Sequence, residues 1–104
     1  VISEEVFGPV VSLAPYKEFD EAIRAINQSK YGLQAGVFTR DIKRIFYAFE
    51  NLDVGGVIIN DYPTFRLDHT PYGGVKDSGM GREGVRYAIQ EMTDIKLLVL
   101  NISK

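Results

Sequence analysis

The sequence predicts an α/β fold: a parallel β-α-β-α-β unit followed by a long loop, a third helix and a terminal apolar strand. Two observations carry the prediction. The period of the apolar residues alternates between strand-like and helix-like, with short connections, which is the pattern of parallel strands joined by crossover helices. The segments Val57 to Asn60 and Leu97 to Leu100 also lack polar alternation, as expected of strands covered on both faces.

Val10 to Tyr16, short and rich in β-branched residues, reads as the first strand. Phe19, Ala22, Ile23 and Ile26 then share one helical face, behind Asp20 and Glu21 in a first turn whose dipole favours acids. Tyr31-Gly32 closes that helix, and Ala35 to Phe38 reads as the second strand. Thr39 is expected to cap a second helix whose buried stripe is Ile42, Ile45, Phe46 and Phe49. Asp53-Val54-Gly55-Gly56 turns the chain into the third strand. The loop from Asp61 to about Gly81 is longer than a compact domain carries without a use for it. Val85, Ala88, Ile89 and Met92 lie on one side of the third helix, and Ile95 to Asn101 is the final strand.

At 104 residues the chain is at most one domain, or part of one. Its 12 basic and 14 acidic residues leave a net charge of −2, which gives no footprint for nucleic acid or an anionic membrane. No apolar run could span a bilayer and the N-terminus lacks a signal-peptide pattern, so a soluble, cytoplasmic protein is expected. With no Cys the chain has no disulfide, no thiolate nucleophile and no Cys-based metal site. One His is too few for a histidine-based metal centre. The chain opens on Val1, already inside a motif-like stretch, and so reads as a piece of a longer polypeptide.

The stretch Glu4-Glu5-Val6-Phe7-Gly8-Pro9 places a carboxylate and an aromatic ring beside a rigid turn. A Glu side chain can accept hydrogen bonds from both hydroxyls of a ribose, and a Phe two residues on can cover a flat heterocycle. Far downstream lies Pro71-Tyr72-Gly73-Gly74-Val75-Lys76-Asp77-Ser78-Gly79-Met80-Gly81-Arg82-Glu83. Its Gly79-x-Gly81-x-x-Gly84 matches the dinucleotide-binding pattern in letters only. No strand runs directly into the glycines and no ribose-binding acid follows at the required distance. These glycines are expected to serve tight turns and close backbone approach, as Gly73, Gly74, Lys76 and Ser78 serve loop architecture.

Together the two motifs resemble the C-terminal end of the NAD(P)-dependent aldehyde dehydrogenase catalytic domain, with matching order and spacing over essentially the whole chain. The resemblance implies that Glu5 binds the hydroxyls of the nicotinamide ribose and that Phe7 packs near the nicotinamide, with NAD or NADP as cofactor. It implies oxidation of a small-molecule aldehyde to a carboxylic acid through a Cys thioester, with the nucleophile, general base, oxyanion donor and dinucleotide domain all upstream. Asn60 is then not the oxyanion donor, and the chain alone should be inactive. Residues 1–94 become the last segment of a catalytic domain. Residues 95–104 become a strand and tail that join a neighbouring subunit, making a homo-oligomer.

The loop from Asp61 to Tyr72 concentrates aromatic rings, a cation and the sole His. The resemblance places it at the mouth of the aldehyde tunnel, with Phe65 and Tyr72 at aromatic-type positions. Arg66 and His69 could present donors to an anionic group on the substrate, since a guanidinium meets carboxylate or phosphate bidentately. An Arg66–Asp68 surface pair and a His69 bonded to the loop backbone would explain the same residues. Arg82 and Asp94 bracket the third helix roughly 18 Å apart and cannot pair within it. Asp94, an acid at a helix C-terminus, therefore calls for a basic partner from elsewhere. Other functions stay open: a small nucleotide-binding module using the Gly79 cluster, a non-catalytic self-associating domain, or part of a CoA-acylating semialdehyde dehydrogenase.

Overall fold

A computed structural model describes residues 4–102. Three helices form where the apolar period predicts them: α1 (Phe19–Asn27), α2 (Ile42–Asn51) and α3 (Val85–Glu91). Four short strands join them, β1 (Tyr31–Gly32), β2 (Gln34–Val37), β3 (Gly56–Ile59) and β4 (Val75–Lys76). Strands β2 and β3 pair in parallel, Gln34 opposite Gly56 through Val37 opposite Ile59. Parallel neighbours need a crossover, and α2 supplies it. This β2-α2-β3 unit, matching the sequence expectation within one residue at each strand, holds the centre of the molecule.

The core is small. Ile23 of α1, Ala35 and Val37 of β2, Ala48 of α2 and Leu52 just beyond it are buried together, with Phe19, Val54, Val57 and Ile59 packed around them. Asn27 ties the two helix ends by donating to the Asn51 carbonyl at 2.7 Å and accepting from the Asp53 amide at 2.8 Å. The expected stripe on α2 is placed differently. Ala48 faces the core, while Ile42, Phe46 and Phe49 stay exposed. The helix has apolar residues on more than one face, and the sheet inside this chain covers only the Ala48 side. Along the open side Ile45, Phe46, Phe49, Val57 and Ile59 line a shallow cleft of about 260 Å³.

Three sequence expectations are corrected. Val10 to Tyr16 and Ile95 to Asn101 are irregular and exposed, not strands. A strand exists only where a neighbour completes its ladder, and among the described residues none pairs with either segment. The unit is therefore parallel over two strands rather than three. Tyr31-Gly32, read as a helix stop, is instead β1, and it pairs antiparallel with β4 from inside the long loop. The radius of gyration, 19.1 Å, is well above the ~13 Å of a compact domain of this length, because both arms reach away from the body.

Short-range chemistry sets the helix starts. Asp41, not Thr39, caps α2: its side chain accepts from the Lys43 amide at 2.9 Å, and Thr39 Oγ1 accepts from the Asp41 amide at 3.1 Å. Gly79, Gly81 and Gly84 all have φ between 71° and 136°, in keeping with turn-forming glycines. No helix among the described residues is long and apolar enough to cross a membrane.

Candidate functional site

The loop between β3 and β4 is built on the end of the parallel pair. It begins against Gly36, where a Cβ would lie 2.8 Å from the Asp61 carbonyl, so only glycine lets the loop pass this close to β2. Asp61 Oδ1 accepts from the Tyr62 amide at 2.8 Å, and the Tyr62 ring meets Phe38 edge-on at 6.0 Å between centroids. Thr70 closes the middle of the loop, its amide and hydroxyl both donating to the Leu67 carbonyl at 3.1 and 3.0 Å. The far side is an isolated antiparallel bridge, with the Tyr72 amide donating to Glu83 at 3.2 Å and the Glu83 amide to Tyr72 at 2.6 Å.

This bridge decides where Arg66 goes. Its Nη2 lies 2.7 Å from Glu83 Oε2, and its guanidinium carbon sits 5.3 Å from the centre of the Tyr72 ring. Arg66 therefore pairs with Glu83 and not with Asp68, the partner that sequence proximity suggests. The pair is exposed and by itself contributes little to stability. Its consequence is geometric: a salt bridge and a cation–π contact fix the guanidinium plane, while its other N–H groups have no partner among the described residues. Phe65 is half exposed beside it, its carbonyl accepting from Gln34 Nε2 at 2.8 Å. His69 is exposed and makes no hydrogen bond among the described residues.

The structure thus joins Arg66 to the Tyr72 ring beside Phe65, and no hydrogen bond or ion pair among the described residues ties His69 to them. Glu5 and Phe7 lie elsewhere, on the exposed N-terminal arm, Phe7 with 93% of its surface open. Among the described residues the hydrogen bonds of that arm are local, Val10 to Gly8 and Lys17 to Glu21, and none joins Glu5 or Phe7 to the loop. The Glu83 and Gln34 side chains are the participants that sequence reasoning missed. Glu83 closes the downstream motif and could have been found only by folding the loop back on itself. Gln34 stands out as a polar residue at the head of an apolar strand.

Around the Gly-rich turn a second concavity of about 730 Å³ is lined by Leu33, Tyr72, Met80, Arg82, Glu91 and Met92 among others. Arg82 closes its floor, Nη1 donating to the carbonyls of Gly74 at 2.9 Å and Gly81 at 2.6 Å. Asp94 has no ion-pair partner among the described residues.

The profile of the aldehyde dehydrogenase family matches residues 1–98. The chain is 53% identical over 102 residues to the 3-sulfolactaldehyde dehydrogenase of Priestia aryabhattai, covering 98% of this chain and 21% of that protein. It is 50% identical over 97 residues to the lactaldehyde dehydrogenase of Methanococcus aeolicus, 93% of this chain and 21% of the relative. The fold superposes on aldehyde dehydrogenase 21 from Physcomitrella patens, solved in complex with the reaction product succinate. The TM-score is 0.89 at 55% identity, over 94% of this chain and 20% of that one. The chain spans about a fifth of the length of the curated relatives it matches. Matched along nearly its whole length in sequence and in fold, the chain belongs to the aldehyde dehydrogenase family.

Proposed function

We propose that this chain works as one segment of an NAD- or NADP-dependent enzyme that oxidises an aldehyde carrying an anionic group to the carboxylic acid. The observation that carries the substrate class is Arg66, fixed over the Tyr72 ring by Glu83, with part of its guanidinium unpartnered among the described residues. The similar proteins divide on this point. One is named for lactaldehyde, which is neutral, and one for 3-sulfolactaldehyde, which bears a sulfonate; a third was solved with succinate, a dicarboxylate. A pre-oriented guanidinium favours the charged substrates, since it can meet an oxoanion through two parallel hydrogen bonds.

In this reading Phe65 and Tyr72 line the approach to the site, and Arg66 holds the anionic end so that the aldehyde carbon faces the chemistry. His69 supplies a further donor at the rim. Glu5 and Phe7 suit the nicotinamide side: both are exposed, and neither side chain has a hydrogen-bond or ion-pair partner among the described residues. Glu5 would accept from the ribose hydroxyls and Phe7 would cover the ring. A nicotinamide cofactor held by Glu5 and Phe7 would supply the hydride acceptor for the aldehyde oxidation. The chain has no cysteine, so the thiolate that forms the thioester would come from outside these 104 residues.

Kinetics of the full-length protein test the proposal. NAD(P)-dependent formation of carboxylate from a short aldehyde is expected. Arg66→Ala should lower kcat/KM for an acidic aldehyde about 10- to 100-fold and barely change a neutral one. Equal losses on both would overturn the role of Arg66.

A further inference from the structure

Strand β2 opens with Gln34, which stands opposite Gly56 in the parallel ladder. A Cβ at position 56 would lie 3.3 Å from Gln34 Cγ and 3.4 Å from its Nε2. Glycine there gives the long side chain room to lie across the pair. The amide then reaches out of the sheet, and Nε2 donates to the Phe65 carbonyl at 2.8 Å, between residues 31 positions apart in the chain. Since only the nitrogen end can donate to a carbonyl, that bond sets the orientation of the amide. The other end, Oε1, is buried and has no partner among the described residues. Burying an unpaired amide oxygen is unfavourable, and an apolar residue would pack this position without that cost. Stability of the β2–β3 pair therefore does not account for Gln34, and what it holds must.

What it holds is the peptide next to Arg66. Glu83 and the Tyr72 ring fix the guanidinium end of that side chain, while Gln34 fixes the backbone from which it grows. We propose that Gln34 is a positioning residue that sets Arg66 for the anionic end of the aldehyde, an inference that rests on the reading of Arg66 given above. Gln34 acts through the Phe65 carbonyl and need not touch the substrate. A bidentate fork recognises an oxoanion only in one plane and at one distance, so a shift of the loop backbone of about 1 Å is enough to spoil it.

The test is kinetic and uses the full-length protein. Gln34→Met keeps the length of the side chain and removes the donor; Gln34→Glu keeps its shape and turns the donor into a second acceptor facing the Phe65 carbonyl. Each should raise KM for an anionic aldehyde about tenfold while kcat stays within about twofold and a neutral aldehyde of equal length is unaffected. In an Arg66→Ala background, Gln34→Met should add nothing, because the residue acts only through Arg66. If Gln34→Met does not accumulate folded, Gln34→Glu carries the test, with thermal melting checking each variant. Equal changes on both aldehydes, additive losses in the double variant, or a Gln34→Glu protein that matches wild type would each overturn the positioning role and leave the aldehyde reading standing. A wild type that oxidises no aldehyde would overturn that reading, and this inference with it.

Discussion

Lys76 adopts φ 54° in β4, and its side chain is only 20% exposed. Its Nζ donates to the carbonyls of Asn27 at 3.0 Å and Ser29 at 3.1 Å, with Asp53 Oδ2 3.4 Å away. These are the carbonyls left unpaired where α1 ends, and a cation there also meets the negative end of the helix dipole. One side chain thus fastens the end of the long loop to the first helix. Charged hydrogen bonds of this kind are worth more than neutral ones, so Lys76→Met should destabilise this region by about 2 kcal/mol. Hydrogen exchange would show it as faster exchange of the Gly32 and Asp77 amides, and unchanged protection would refute it. The assignment of Lys76 to loop architecture was legible from sequence, because nothing apolar around it suggested a catalytic amine. Its partners were not legible: Asn27 and Ser29 lie nearly fifty residues away and offer carbonyls that every residue has. The same limit hid Glu83 from Arg66. Sequence proximity favoured Asp68, whereas the backbone bridge from Tyr72 to Glu83 brings the more distant carboxylate to the guanidinium.

At the scale of elements, the helical period was the dependable signal. It found α1, α2 and α3, and strands β2 and β3 fell within a residue of their expected places. Strands β1 and β4 are two residues each and exist only because they meet across more than forty residues, so no local pattern could announce them. The reverse error has the same cause. Val10 to Tyr16 and Ile95 to Asn101 have strand composition, but composition reports that a residue suits a pleated surface, and a strand also needs a neighbour. The α2 cap is a further case. Thr39 and Asp41 both suit an N-cap, and the Asp41 carboxylate is the one that reaches the Lys43 amide. Asp41→Ala should cost about 1 kcal/mol, and Asp41→Asn should recover most of it. Thermal melting of both variants checks this, and equal losses would mean that the charge near the helix dipole, not the cap, is the source.

For the molecule as a whole, the decisive fact is how little apolar surface this chain covers by itself. Among the described residues only five apolar side chains are buried in the core, while Ile42, Phe46 and Phe49 of α2, Val85 and Ile89 of α3, and Leu97 to Leu100 of the C-terminal arm stay open. Fully burying one such side chain is worth about 1.5–3 kcal/mol. A domain has only about 5–15 kcal/mol of net stability, so a handful of side chains left uncovered decides whether the fold persists. The relatives are about five times longer, and their remaining length is the natural cover for these faces. The C-terminal arm, apolar over Leu97 to Leu100 and in no strand ladder among the described residues, is suited to adding a strand to a second copy. Expressed alone, the 104-residue chain should therefore oxidise no aldehyde, bind a hydrophobic dye and sediment as dimers or larger species above micromolar concentration. Charged substitutions at Leu98 and Leu100 should reduce that association without restoring activity, since the thiolate of the proposed reaction is a separate requirement that a chain without cysteine does not meet. A monodisperse monomer with one cooperative unfolding transition would show that the five-residue core suffices, and that the open faces belong to some purpose other than cover by further chain.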